Sequence, residues 1–123
     1  MLNQLIKSVL DQDNTAIVLC NLEHIIVYMN AAADKNYEKW GGASLVGKSL
    51  MDCHNEHSRE MINKVVDWFK KAEENNRIHT FFNEKQNKDV YMIALRDEDK
   101  KLIGYYEKHE FRNRDETPFY EMN

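Results

Sequence analysis

The first ten residues of the chain space apolar side chains as one face of an α-helix does. The apolar positions recur at i, i+3, i+4, i+7 and i+8, namely Leu2, Leu5, Ile6, Val9 and Leu10. This spacing places all of them on a single stripe of an amphipathic helix. The polar turn formers from Asp11 to Asn14 interrupt the pattern. We therefore predict an N-terminal amphipathic helix over residues 1–11.

A second helical pattern lies in the middle of the chain. Its apolar positions are Met61, Ile62, Val65, Val66, Phe69 and Ala72. Charged side chains occupy most of the opposite face, and Asn75-Asn76 ends the pattern. The spacing predicts a helix from about Asn55 to Ala72. A shorter helix is predicted from the capping residue Asn30 to about Trp40, where Gly41-Gly42 terminates it.

Five β-prone segments flank these helices, at residues 16–20, 24–29, 77–84, 88–96 and 101–111. The short connection 21–23 predicts a hairpin between the first two, and polar turns separate the last three. Two strands, a helical excursion and three consecutive strands predict an α+β domain. We expect a five-stranded antiparallel sheet with helices packed on one face and a pocket between the layers. Residues 112–123 are polar and predict a flexible C-terminal tail.

Composition narrows the classes of function. The 123 residues amount to one domain, with 42% hydrophobic and 31% charged residues, as in a globular protein. The net charge of -4 and the lack of a Lys/Arg block argue against nucleic-acid binding and against an electrostatic membrane anchor. The N-terminus has no continuous apolar run of the signal-peptide kind, so we predict a cytoplasmic location. Cys20 and Cys53 are expected to be reduced thiols.

Four short segments, in this order, resemble motifs of the PAS family. They are NLEHIIVYMNAAA at 21–33, LVGKSL at 45–50, HNEHSR at 54–59 and DEDKKLIGY at 97–105. The resemblance covers residues 12–111, and it departs from the family where Asn55 replaces a proline and His57 an aspartate. The last strand ends in KHEF at 108–111 rather than in the Asp-Ile-Thr that often couples such a domain to a following effector. That ending fits a chain that stops here and a signal that leaves through an interface with another chain.

The resemblance implies the sheet order 2-1-5-4-3 and a sensory or interaction module, often dimeric. Our main hypothesis is a non-catalytic sensor that binds a small ligand in its internal pocket and signals through protein–protein contacts. The pocket is predicted to be lined by Tyr37, Trp40, Leu50, His54, Ile62, Val66, Phe81 and Met92. A homodimer through the N-terminal helix and the sheet face is expected, with a kinase or regulator as partner. The alternative is a dimerisation or scaffold module of the same fold without a ligand.

The ligand itself is left open between haem and a small metabolite. A haem sensor needs an axial ligand, for which the candidates are His54, His57, His79 and His109. Neither cysteine lies in the Asn-Cys-Arg-Phe-Leu-Gln context of the family's flavin photosensors, so flavin photochemistry is not expected.

Two further clusters have the residue types of a chemical site. Cys53, His54 and His57 are too few and wrongly spaced for a structural zinc site, and we predict no metal. Glu107 and His109 share one strand face by the period of two, as an acid/base pair would. A small enzyme using this pair is the remote alternative, since alternating polar residues on an exposed strand face explain the pair equally well.

Overall fold

A computed structural model describes residues 1–122 and contains three α-helices and five strands. The helices are α1 (Leu2–Gln12), α2 (Ala31–Asn36) and α3 (Glu56–Lys71), and the strands are β1 (Val18–Asn21), β2 (Ile26–Met29), β3 (Arg77–Asn83), β4 (Lys88–Arg96) and β5 (Leu102–Phe111). All neighbouring strands are antiparallel, in the order β2-β1-β5-β4-β3. This architecture confirms the predicted fold class and strand order. No helix within residues 1–122 is long and apolar enough to span a membrane.

The apolar stripe of α3 packs against the inner face of the sheet, as its spacing predicted. The buried residues of the helix are Ile62, Val65, Val66 and Phe69, and they join one core cluster with Cys20, Met92 and Tyr105. The register sets Met92 opposite Glu107 and Val90 opposite His109. Side chains of a strand alternate between its faces, so Tyr105, Glu107 and His109 share the inner face of β5. The core side of β5 therefore becomes polar towards its C-terminal end.

The side chain of Asn30 forms hydrogen bonds to three segments of the chain. It is 1% exposed, and its side-chain oxygen accepts hydrogen bonds from the amides of Ile17 and Ala33, both at 2.9 Å. Its side-chain nitrogen donates to the carbonyl oxygens of Leu10 and Thr15, also at 2.9 Å. The predicted N-cap is therefore confirmed, and the same side chain also holds the end of α1 and the approach to β1.

The regular helix after Asn30 is shorter than its predicted end at Trp40. Helix α2 ends at Asn36, and Glu38–Trp40 forms a separate 3-10 turn. Gly41 follows at φ 114°, a left-handed conformation that glycine adopts without a steric penalty. A further 3-10 turn, Leu50–Cys53, begins at the last residue of the LVGKSL motif. Such one-turn elements are too short to leave a helical period in the sequence.

Arg96 of β4 fastens the C-terminal end of α3 to the sheet. Its guanidinium donates to the carbonyl oxygens of Phe69 at 2.7 Å and of Ala72 at 3.1 Å. It also donates to the Asn76 side chain at 2.6 Å. A cation at a helix C-terminus is favoured by the helix dipole. These bonds attach the C-terminal end of α3 to the sheet.

Both ends of the chain are exposed. Within the described chain no residue of α1 is buried, and its apolar side chains Leu2, Leu5, Ile6 and Val9 are between 51% and 70% exposed. Residues 112–122 form no helix or strand. Both segments therefore contribute little to the core that encloses the site.

Candidate functional site

An open groove runs between α3 and the inner face of β3, β4 and β5. Its volume is about 620 Å³, within the range of roughly 300–1,000 Å³ that is usual for small-molecule pockets. The apolar side chains along it are Met61, Ile62, Val65, Ile78, Phe81, Val90 and Met92. The polar ones are His54, His57, Ser58, His79, Thr80, Asn83, Lys88, Glu107 and His109. The groove therefore combines apolar walls with several hydrogen-bonding groups.

A small interior cavity lies beside the groove. Its volume is about 40 Å³, room for one water molecule, which occupies about 30 Å³ in the liquid. Five residues line both the cavity and the groove, namely His54, Ile62, Met92, Glu107 and His109. We call these five residues the shared wall. A ligand in the groove would reach the interior of the domain at this wall.

Glu107 and His109 are in close contact in the shared wall. The His109 Nε2 atom lies 3.1 Å from Glu107 Oε1, with 9% of the His109 side chain and 45% of the Glu107 side chain exposed. A carboxylate only accepts, so Nε2–H is the donor, and Nδ1 is the acceptor of the neutral ring. His109 Nδ1 is buried without a hydrogen-bond partner, the one such side-chain atom found within residues 1–122. Buried polar groups without partners are rare in folded proteins, which marks this ring as part of a site.

His54 contributes a second imidazole with a defined tautomer. Its Nδ1 atom lies 2.8 Å from the carbonyl oxygen of Leu50, one turn earlier in the chain. A carbonyl oxygen accepts, so Nδ1 carries the proton and Nε2 is the acceptor of the neutral ring. The Leu50–Cys53 turn positions the ring, because it places the Leu50 carbonyl beside the residue that precedes α3.

Burial perturbs several ionisable groups of the cavity, and Cys20 and Tyr37 are two of them. It raises the pKa of the Cys20 thiol to about 11 and the pKa of the Tyr37 hydroxyl to about 12. Charged forms are disfavoured where water cannot solvate them. Both groups are therefore neutral at physiological pH and act as weak polar lining rather than as nucleophiles.

The residues predicted to line the pocket are distributed over three places. The cavity is lined by Tyr37 and Leu50, the groove by Phe81, and both spaces by His54, Ile62 and Met92. Trp40 lies outside both, 51% exposed beside Tyr37 in the 3-10 turn. Val66 is 3% exposed in the solid core, on the part of the α3 stripe that points away from the groove.

As a pair, Glu107 and His109 were considered in the sequence as an acid/base pair or as part of an exposed strand face, and His109 also as a candidate haem ligand. The structure places them on the face that lines the groove. The sequence contained a signal for this placement. Glu107 and His109 lie two and four residues after Tyr105 on β5, so their side chains point to the same face of the sheet as Tyr105. The polar character of both residues obscured it, since polar residues most often face solvent.

The histidines near the start of α3 do not lie on one helical face. Helix α3 begins at Glu56, so His54 precedes it while His57 lies in its first turn. Residues 1–122 contain no group of three or more His, Cys, Asp or Glu side chains close enough to hold a metal ion together. For haem, His54 and His109 line both spaces. The interior cavity is too small for a macrocycle, so only the groove could take one.

Solved structures share this architecture at low sequence identity. The C-terminal domain of a protein from Streptococcus mutans is 19% identical, with a TM-score of 0.69 over 89% of this chain and 84% of that one. The PAS domain of a protein from Colwellia psychrerythraea is 13% identical, with a TM-score of 0.65 over 90% and 97%. The Aer2 receptor of Vibrio cholerae, a dual PAS-haem oxygen sensor, is 19% identical, with a TM-score of 0.52 over 77% and 91%. No protein-family model and no curated protein matches the sequence. At these identities the likeness concerns the fold.

Proposed function

This chain is a PAS domain by its fold, and from that premise we propose that it is a sensory module that binds a small ligand in the groove under α3. The observation that carries the proposal is the shared wall, where a buried imidazole whose Nδ1 atom has no hydrogen-bond partner adjoins a groove of about 620 Å³. Ligand sites are concave, mostly apolar and contain a few convergent polar groups. A ligand in the groove touches both α3 and the sheet, so it is placed to shift one against the other.

Native mass spectrometry of the purified protein tests ligand binding. We expect a retained small molecule, or a binder from a broad screen if the natural ligand is lost during purification. Met61→Trp should abolish binding, because Met61 is 44% exposed and lines the groove. Glu60→Trp is the matched control, since the neighbouring Glu60 is exposed and does not line the groove. If the wild-type protein retains no molecule and no screened compound binds, the sensor proposal fails and the ligand-free scaffold is favoured.

A haem sensor is a special case of the same proposal. The neighbour from Vibrio cholerae is named as a haem oxygen sensor, and here the His54 ring presents its Nε2 as an acceptor at the shared wall. Titration with haem would produce a Soret shift that His54→Ala removes and His57→Ala retains. Absence of a Soret shift in the wild-type protein would leave a small metabolite as the ligand.

We further propose that the signal leaves through a homodimer formed by α1 and the sheet face, and then through a kinase or regulator. The exposed stripe of α1 supports this, because a helix of 11 residues is too short to be stable without burying its apolar face. Light scattering should show a dimer that Leu5→Glu with Val9→Glu dissociates. Gln4→Glu with Ser8→Glu adds the same charges outside the stripe and should not. A wild-type monomer would refute this route.

A binding role is proposed in preference to a catalytic one. Glu107 and His109 form a pair of acid/base type, but half of the Glu107 side chain is exposed and the cavity groups with raised pKa values are neutral. We also propose a cytoplasmic location, which the two free cysteines support. Fractionation of the native host would test this, and recovery outside the cytoplasm would contradict it.

A further inference from the structure

The polar groups of the shared wall are all hydrogen-bond acceptors. His109 has an Nδ1 atom without a partner, and this atom is an acceptor when Nε2, which faces the Glu107 carboxylate, carries the proton of the ring. His54 offers Nε2, because its Nδ1–H is donated to the Leu50 carbonyl. Glu107 offers the carboxylate oxygen that does not contact His109. When both rings are neutral, this wall carries three acceptors and one negative charge.

Apolar surface surrounds these acceptors. Ile62 and Met92 complete the shared wall, and Phe81 lines the groove beyond it. Lys88 supplies the positive charge of the groove. It lies on β4 opposite Phe111, two positions along the strand from the pair formed by Val90 and His109. Its ammonium lies 5.6 Å from the centre of the Phe111 ring. The site therefore has an acceptor-rich, anionic end next to Glu107 and a separate cationic end.

We propose that the shared wall recognises the donor-bearing cationic head group of a ligand with a flat or apolar body, such as an amidinium or a primary ammonium. This inference rests on the proposed function and names the class of its ligand. Amidinium and ammonium groups carry only donors, so they pair with the Glu107 charge and donate to the imidazole acceptors of the wall. A carboxylate or phosphate head group finds no donor at this wall and meets a like charge, so such ligands are rejected here.

Three probes of nearly equal shape test the proposal, namely benzamidine, benzamide and benzoate. They present a cation with donors, a neutral amide and an anion with acceptors on the same ring. Titrations at pH 8, followed by NMR of the Ile and Met methyl groups, would locate binding through Ile62 and Met92. We expect benzamidine to bind about tenfold more tightly than benzamide, the lower end for one charge-assisted hydrogen bond. Benzoate should leave both methyl signals unchanged.

Two variants test the contributions of the Glu107 charge and of the His109 ring to binding separately. Glu107→Gln keeps the side-chain volume and should reduce the preference for benzamidine over benzamide to about twofold or less. His109→Phe keeps a ring but removes the acceptors, and should weaken both benzamidine and benzamide. Glu110→Gln is the matched control, because Glu110 lies on the same strand, pairs with Asp89 and faces away from the groove. Its preference should equal that of the wild-type protein, and dispersed methyl spectra would show that each variant is folded.

Results that contradict the head-group assignment differ from results that contradict ligand binding altogether. If benzamide or benzoate shifts the Ile62 and Met92 signals as strongly as benzamidine, or if Glu107→Gln retains the full preference, the head-group assignment is wrong although the groove binds ligands. If none of the probes shifts these signals and no other small molecule binds, the groove is not a ligand site, and the proposed function falls together with the inference.

Discussion

Replacement of Asn30 by alanine should destabilise the domain far more than loss of an ordinary helix cap. Asn30 makes four hydrogen bonds, to the amides of Ile17 and Ala33 and to the carbonyl oxygens of Leu10 and Thr15. Only the bond to Ala33 is the N-cap interaction of α2. The other three join the end of α1 to the approach to β1.

The size of the effect follows from the number and burial of these bonds. An N-cap contributes about 1 kcal/mol, and each further hydrogen bond contributes about 1 kcal/mol. The expected cost of Asn30→Ala is therefore about 4 kcal/mol, a large part of the roughly 5–15 kcal/mol by which domains are stable. Asn55 is the internal control, because its side chain caps α3 through a single bond to the Ser58 amide at 2.8 Å. Asn55→Ala should cost about 1 kcal/mol.

Urea denaturation followed by circular dichroism measures both variants against the wild-type protein. The slope of the unfolding free energy with urea should be unchanged, since the surface exposed on unfolding is nearly the same. If the cost of Asn30→Ala lies within about 0.5 kcal/mol of the cost of Asn55→Ala, the three additional bonds contribute nothing. The interpretation of Asn30 as the joint between α1, β1 and α2 would then be wrong.

The remaining predictions concern residues around the site and their effects on stability or thiol reactivity. Gly104→Ala should lower the unfolding free energy by about 1–3 kcal/mol, because its Cβ would overlap the Cys20 carbonyl oxygen across the β1–β5 pair; an unchanged denaturation midpoint would contradict this. Arg96→Lys should lower the unfolding free energy by about 1.5–3 kcal/mol, because lysine cannot donate to several carbonyl oxygens at once. The control Arg112→Lys, on the exposed face, should lower it by less than about 1 kcal/mol. Equal losses would show that Arg96 does not hold α3 to the sheet. At pH 8 a thiol reagent should modify Cys53 in the native protein but Cys20 only after unfolding, because burial raises the pKa of Cys20 to about 11. The unfolding free energy should also fall as pH rises from 9.0 towards about 11, since the unfolded thiol ionises first, and Cys20→Ala should reduce that fall.

Much of the fold could be predicted because its signals are local. The stripe of α3 has a period near 3.6 residues and the β5 residues alternate with a period of two, and each pattern needs only neighbouring residues to be recognised. Asn30 caps α2 as predicted, since a cap depends on the next three residues, and Asn55, predicted as the start of the long helix, is the N-cap of α3. The departures lie in single turns such as Leu50–Cys53, which leave no periodic signal.

The sequence by itself determined the order of the elements, the sheet topology through its resemblance to a family, and the cap at Asn30. Only the tertiary structure decided which side chains meet at the groove. Trp40 remains outside it and Val66 belongs to the solid core, whereas Glu107 and His109 enter its wall. The reason is physical: a groove is the space left between α3 and three strands distant in sequence, so its lining depends on how these elements pack together. Periodicity reports which face of one element a residue occupies, and not the distance to the element opposite.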